Sequence, residues 1–432
     1  MLRPAEAIYS ALGVGGAKEL VSKGANGAVV NLEGVWARRD KYTDNWEDMP
    51  IVEALEGAKV TIVRAQGRLG GVKKVVLEST SFAEEGLIEV TAKYAVCVAG
   101  GSEPIIPPIP GLLEAKPWTP RDATGSRVVP RHLIILGAGA VGTEMATAYA
   151  SYGAKITLIT SSAEVLPKLE PEAGRRVRES LVSRGVTVLL SAKVTAVERT
   201  ADGVRATLST GSVISGSEFL VAAGRKPRTS DIGLESIGLE RIKGFALPVA
   251  DSMVVQSVPG EWLFAVGDMN GRAMTTHMGK YQARVAADNI IALVKGSSTS
   301  SKGEPWSKYT AFADRTAISQ VVFTDPNVAC VGLTIAEAKK AGKPAKEVTT
   351  PFKAPGAAYH EDGYSGWAQW VVDTQTNQLL GATFVGRDAA DLLHASTVAV
   401  AGGVSLDRLW HAVPGFPTLS EVYMDLVEAC GL

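Results

Sequence analysis

The chain has 432 residues, of which 46% are hydrophobic, and a formal net charge of -1. That length exceeds what one core serves and predicts roughly two to four domains, while the near-neutral charge excludes a strong pull toward nucleic acid or an anionic membrane. No apolar run reaches the roughly 18 residues of a membrane helix, and the opening residues MLRPAEAIYSALG lack the charged-then-apolar pattern of a secretory leader, so the cytoplasm is the expected compartment.

Residues 1–124 open on an alanine-rich helix and continue through VTIVRAQGRL, KKVVLEST and LIEVTAKYAVCVAGG, whose β-branched, alternating character predicts strands. The block closes on PIIPPIPGL, too rich in proline for helix or sheet. Residues 125–245 begin with the short apolar strand RHLIIL, the glycine turn GAGAVG, a helix over VGTEMATAYASYG that stops at Gly153, and a second strand AKITLIT. Residues 246–305 carry WLFAVGD, a helix over GKYQARVAADNIIALV, and the tract KGSSTSSKGEP, which reads as a linker. Residues 306–432 have their own strands (ISQVVF, WAQWVVD, QLLGATFVG) and helices (AADLLHASTVAVAGG, TLSEVYMDLVEA), the pattern of a separate α+β domain.

The three cysteines, Cys97, Cys330 and Cys430, form neither C-x-x-C nor C-x-x-x-x-C. A local redox pair and a zinc cluster are thereby excluded, and no metal site is expected. Cys97 lies in the apolar run YAVCVAG and is expected to be a buried strand residue. Cys430, close to the C-terminus, is expected to be a free surface thiol.

The motif with the most chemistry is Gly137-Ala138-Gly139-Ala140-Val141-Gly142, preceded by a strand and followed by a helix. In that context the first glycine permits the tight turn, the second lets a pyrophosphate approach the backbone, and the third lets helix and strand pack closely. The helix N-terminus then meets the phosphates with free N–H groups. At the end of the second strand, where an acid would grip the ribose of NAD, stands Thr160, followed by Ser161 and Ser162. Neither an acid nor an arginine stands there, so the choice between NAD and NADP stays open, with a lean to NADP because no carboxylate repels a phosphate.

Ala265-Val266-Gly267-Asp268 places an acid just past a buried strand, where it accepts hydrogen bonds from ribose or polyol hydroxyls or simply closes a turn. Val98-Ala99-Gly100-Gly101-Ser102 and Val221-Ala222-Ala223-Gly224-Arg225 both put small residues after a β run, either as tight turns or where a flat ligand or another strand comes close.

In this order the stretches resemble the pyridine nucleotide–disulfide oxidoreductases. VAGGSEPIIPPIPGL and VAAGRKPRT are similar to that family's two crossovers, LIILGAGAVGTEMA to its nicotinamide-nucleotide turn, LFAVGD to its second flavin motif, and FTDPNVACVGLTIAEAKKAG with VGRDAADLLH to its dimerisation domain. The resemblance implies an α/β fold with two Rossmann-like nucleotide-binding domains, the FAD domain incomplete and the NAD(P) domain inserted in it, plus a C-terminal α+β dimerisation domain. It implies FAD and NAD(P) as cofactors, a homodimer, and a small-molecule electron acceptor. Gly137, Gly139, Gly142, Glu144 and Thr160 are then expected at the nicotinamide nucleotide, Gly267 and Asp268 at the flavin with His277 near it, and Ala99, Gly101, Gly224 and Arg225, in the crossovers, as further cofactor-binding residues.

Two departures from the family pattern stand out. Met1-Leu2-Arg3-Pro4-Ala5-Glu6 looks like the sequence just after the family's cysteine helix, so the phosphate loop for FAD and the redox disulfide are expected to be missing and the flavin domain to be poorly supported. The family's H-x-H-P-T-x-S-E stretch corresponds to Pro414-Gly415-Phe416-Pro417-Thr418-Leu419-Ser420-Glu421, with Phe416 in place of the histidine base. Phenylalanine accepts no proton. Glu421 and His411 remain as candidate catalytic groups, and His132, His277, His360 and His394 show no triad or metal-ligand spacing. Three functions follow: an NAD(P)H-dependent flavoprotein of the disulfide-reductase type, a catalytically incomplete NAD(P)-binding dimeric fragment, or a diaphorase without disulfide chemistry, acting on a quinone or similar oxidant.

Overall fold

The computed structural model describes residues 2–12, 14, 30–79, 87–297 and 303–432. Residues 298–302 of the predicted linker lie outside these. The chain divides into two compact units, one of residues 1–41, 104–224 and 319–432, the other of residues 42–103 and 225–318. No helix of the described residues is long and apolar enough to cross a membrane.

The first unit is built on a four-stranded parallel sheet in the order Glu218–Val221, His132–Leu136, Lys155–Ile159, Thr187–Leu189. The strands are near-continuous apolar runs because both faces are covered. Side chains alternate across the sheet: Leu133 and Ile135 enter one cluster with Tyr149, Ile156 and Leu158, while Ile134 enters another with Leu112, Ile159 and Phe219. The first face is covered by helices Ala140–Ser151 and Pro171–Ser183, the second by an antiparallel meander of Val194–Thr200, Gly203–Leu208 and Val213–Gly216. Helix Ala140–Ser151 ends where Gly153 takes φ +88°, a left-handed stop that costs glycine nothing.

The same unit holds a five-stranded antiparallel sheet in the order Ser319–Val322, Asn327–Gly332, Leu379–Gly386, Trp367–Asp373, Ala345–Pro351. Strand Trp367–Asp373 is buried along its whole length. Trp370 and Phe384 pack around Tyr423 with ring centres 5.8 and 5.5 Å away, and the Tyr423 hydroxyl donates to the Leu392 carbonyl at 2.6 Å. The helix expected over TLSEVYMDLVEA starts with a 3-10 turn, Leu419–Glu421, and runs from Val422 to Ala429. Just past it, Cys430 is half-buried rather than a surface thiol, and burial pushes that thiol up.

The second unit contains an antiparallel sheet of Ala65–Gly71, Lys74–Ser79 and Leu87–Thr91, and a parallel pair, Val96–Val98 with Leu263–Ala265. It also holds the pairing of Ser102–Pro104 with Arg225–Pro227 and the long helix Thr276–Val294. Two expectations are corrected here. The run VTIVRAQGRL becomes a strand only from Ala65: residues 60–64 form no ladder, and Val60 and Val63 are exposed. β-branched residues favour extended backbone, but a strand also needs partners for its N–H and C=O groups. Cys97 is a strand residue but an exposed one. Its neighbours Val96 and Val98 pack into the cluster around Trp262 and Leu263, so alternation turns Cys97 outward. Helix Met49–Gly57 has no buried residue and exposes Met49, Ile51 and Leu55.

Candidate nucleotide-binding site

Within the first unit, the glycine turn lines a cleft of about 660 Å³, a size that suits a small-molecule or cofactor site. The three glycines do different jobs. Gly137 sits at φ +104°, donates its N–H to the Ile159 carbonyl at 2.8 Å, and has the Ala222 carbonyl 2.4 Å from where a Cβ would stand. A Cβ on Gly142 would lie 1.9 Å from the Gly137 carbonyl oxygen, so this glycine lets the helix sit on its own turn. A Cβ on Gly139 would meet nothing within 4 Å. Gly139 caps helix Ala140–Ser151 with extended backbone, so the open side of the turn carries the helix's first N–H groups. That arrangement fits a dinucleotide diphosphate: two glycines are required by packing, and the middle one leaves room for the ligand.

The rest of the cleft is tied to this turn by backbone bonds. Thr160 follows strand Lys155–Ile159, is buried, and accepts the Ser162 N–H on its hydroxyl at 3.2 Å. Leu166 N–H donates to the Ala138 carbonyl at 2.8 Å, which holds the 163–168 loop against the glycine turn. Gly224, at φ +128°, lines the cleft and accepts the Ile105 N–H at 2.9 Å. Glu144 is not among the lining residues. Its carboxylate accepts the Phe323 N–H at 2.9 Å, and burial pushes its pKa up, while Gln320 of the strand just before, Ser319–Val322, does line the cleft. Sequence reasoning missed Gln320, Lys168 and Lys193 as lining residues. No motif marks them, since they reach the cleft only through tertiary contacts.

In the second unit two of the residues expected at a cofactor, Arg225 and Asp268, are joined by a polar relay. Arg225 donates from Nε to the Ser102 hydroxyl at 2.7 Å and from its terminal nitrogen to the Ser102 carbonyl at 2.6 Å. Ser102 in turn donates to the Asp268 carboxylate. Gly101, at φ +71°, would place a Cβ in open space, and its carbonyl accepts the Arg228 N–H at 3.0 Å. Gly267, at φ +66°, donates to Gln282 Oε1 at 2.7 Å, and Gln282 is held by buried Asp314 at 2.9 Å. Burial pushes Asp314 up to about 6. Ala99 is exposed at the end of strand Val96–Val98, and exposed His277 lies 3.4 Å from the Thr275 hydroxyl. Asp268 beside two left-handed glycines suits the sugar-alcohol end of a flavin dinucleotide. Ser102, the hinge of the relay, was not singled out from sequence.

The C-terminal candidates are not brought together. Glu421 Oε2 accepts the Gly356 N–H at 3.0 Å and the Thr418 N–H at 3.1 Å, so the carboxylate is engaged with backbone. His411 is exposed at the end of helix Leu406–Trp410, edge-on to Trp410 at 4.8 Å, and Phe416 is 71% exposed.

A parallel sheet with a glycine-turn cleft, a second glycine–aspartate turn and an appended antiparallel domain define a nucleotide-dependent oxidoreductase of the two-nucleotide kind. The chain belongs to the pyridine nucleotide-disulphide oxidoreductases: the model of that family matches residues 13–283, and that of its dimerisation domain residues 318–427. It is similar to the dihydrolipoyl dehydrogenase of Chlamydia pneumoniae, 31% identical over 386 residues, which span 87% of this chain and 76% of the relative. The dihydrolipoyl dehydrogenase of Thermus scotoductus is 30% identical over 386 residues, spanning 88% and 77%. Among solved structures, LpdA from Mycobacterium tuberculosis superposes with a TM-score of 0.77 at 24% identity, covering 99% of this chain and 89% of that one. The HOCl-induced flavoprotein disulfide reductase RclA from Escherichia coli gives 0.77 at 19% identity over 99% and 89%. These two structures speak to the fold. By family, the chain is a flavin-dependent oxidoreductase whose cofactors are FAD and a nicotinamide nucleotide, and it carries the family's dimerisation domain.

Proposed function

We propose that this chain works as an NAD(P)H-dependent flavoprotein that passes electrons to a small-molecule acceptor. The observation that carries the reading is the cleft around Gly139, with the glycine turn shaped for a dinucleotide diphosphate. When bound, the reduced nicotinamide supplies a hydride and the flavin receives it. The chain's own part is to hold the nucleotide diphosphate at the N-terminus of helix Ala140–Ser151 and to order the Asp268 turn through Ser102 and Arg225. Residues 1–124 and 246–305 are assigned to the flavin, 125–245 to the nicotinamide nucleotide, and 306–432 to the interface of a homodimer. Exposed Trp410, Val413 and Phe416, close together in sequence, support that last assignment, because exposed large apolar side chains mark association sites. With Phe416 where the family pattern has a base, a two-electron acceptor that needs no histidine proton donor, such as a quinone, fits better than a disulfide.

The second reading, a nucleotide-binding fragment that holds no flavin, is favoured by the exposed apolar helix Met49–Gly57. The visible absorption spectrum of the purified chain, before and after FAD and then NADPH, separates the two. Flavin bands that bleach with NADPH, and a quinone-reductase rate unchanged by thiol alkylation, support the first. A colourless chain that cannot be loaded with FAD overturns it.

A further inference from the structure

The cleft's charge and the fate of its hydroxyls carry a choice of nucleotide, an inference that rests on the reading of the cleft as the nicotinamide-nucleotide site. We propose that the cleft selects the nucleotide whose adenosine ribose bears a 2′-phosphate, NADP(H) over NAD(H), and that Lys168 and Lys193 are the residues that read that phosphate. The lining of the cleft includes these two lysines and no aspartate or glutamate. At the end of strand Lys155–Ile159, a carboxylate would accept hydrogen bonds from a free 2′-hydroxyl and repel a phosphate. Thr160 stands there instead, buried, its hydroxyl already accepting the Ser162 N–H. Glu164, four residues on, is drawn off: its carboxylate accepts Arg178 Nε at 2.9 and 3.0 Å and the Val165 N–H at 2.9 Å. No acid therefore takes the ribose diol, and none opposes an added phosphate.

The two lysines arrive from separate segments that the fold straps to the same loop. Lys168 follows the segment that Leu166 ties to the Ala138 carbonyl at 2.8 Å. That segment lies directly on helix Pro171–Ser183, where a Cβ on Gly174 would come 2.3 Å from the Val165 carbonyl oxygen. Lys193 follows strand Thr187–Leu189, and its segment is pinned by Ser191 N–H to the Ser162 carbonyl and Ala192 N–H to the Thr160 carbonyl, both at 2.9 Å. Neither lysine side chain has an ion-pair or hydrogen-bond partner among the described residues, and neither do the hydroxyls of Ser161 and Ser162. Two unpaired ammonium groups and two free hydroxyls in the lining of one cleft match a doubly charged phosphate, which takes charge-assisted bonds from the first and neutral ones from the second.

The test uses the whole chain and nucleotide fragments, so it does not depend on flavin loading or turnover. Binding of adenosine 2′,5′-bisphosphate and of 5′-AMP is measured by titration calorimetry in low salt. The bisphosphate is expected to bind at least about tenfold more tightly, the increment of one or two charge-assisted phosphate contacts in water. The double variant Lys168→Ala, Lys193→Ala is expected to bring that ratio close to one while leaving the melting temperature unchanged. Thr160→Glu is expected to weaken the bisphosphate alone. Equal binding of the two fragments by the parent chain, or a ratio that survives the double substitution, overturns the selectivity and leaves the cleft a nucleotide site. Failure of both fragments to bind overturns the site itself.

Discussion

In the unit that holds the cleft, strand His132–Leu136 has a parallel neighbour on each side and sends alternate residues into two separate cores. In the other unit, strand Val96–Val98 has one parallel neighbour among the described residues, Leu263–Ala265, and sends Val96 and Val98 into a core while Cys97 faces out. Both stretches are apolar and both end in a glycine turn. The difference lies in how much structure closes around them. A strand with two neighbours and two covered faces holds its turn by close packing and backbone hydrogen bonds, as Gly142 against the Gly137 carbonyl and the Gly137 N–H on the Ile159 carbonyl show. Where the parallel ladder is a pair, the turn is held by polar groups instead: Arg225, Ser102 and Asp268 on one side, Gln282 and Asp314 on the other. Packing is short-ranged and unforgiving, whereas a polar relay responds to charge, so the two units answer to different perturbations.

The largest contrast is expected within the glycine turn itself. Gly142→Ala places a methyl group against a backbone carbonyl that cannot move away cheaply, and is expected to cost about 3 kcal/mol or more in chemical denaturation. Gly139→Ala, in open space at the helix N-cap, is expected to cost less than about 1 kcal/mol while weakening nucleotide binding. Similar stability losses at both positions would break the assignment of one glycine to packing and the other to ligand.

Limited trypsin digestion compares the units directly. Cleavage after Lys59 or Arg64, beside exposed Val60 and Val63, is expected to run roughly a hundredfold faster than cleavage within 132–221, because local opening needs little free energy where few apolar groups are buried. Equal resistance along the chain would contradict the weaker support of the second unit.

A smaller effect follows the charge on Asp314. Burial holds its pKa up at about 6, against an ordinary 3.8, although Arg272 lies 3.4 Å away. The folded chain therefore keeps this proton more tightly than the unfolded chain does. The stability so contributed is full below 3.8 and is lost as pH rises through about 6, by at most about 3 kcal/mol. Asp314→Asn is expected to flatten that slope in pH-dependent melting of the second unit; an unchanged slope would assign it to other groups. Arg272 keeps Asp251 at 2.9 Å as a partner in the variant.

The smallest expected effect is that of Ser102→Ala, which removes the hydroxyl between Arg225 and Asp268 and is expected to cost about 1 kcal/mol. Its sharper readout is flavin retention through gel filtration. Full retention at the parent level would detach the relay from the flavin.

What the sequence by itself determined is whatever rests on local pattern. The apolar runs RHLIIL and AKITLIT, the turn between them and the stop at Gly153 specify strand, turn, helix and strand, because periodicity and the steric freedom of glycine act within a few residues. The order of the motifs likewise carried the family. Only the tertiary structure decided which neighbours each stretch would find. VTIVRA has the residues of a strand, yet 60–64 join no strand among the described residues, since a ladder needs partners from elsewhere in the chain. Cys97 was legible as a strand residue but not as an outward-facing one, since alternation does not say which face is covered. Glu421 was legible as a motif position, and the fold engages it with the backbone of Gly356, far away in sequence. Lys193 joins the cleft for the same reason: hydrogen bonds to Thr160 and Ser162, formed on folding, carry it there, and no short-range pattern encodes such a contact.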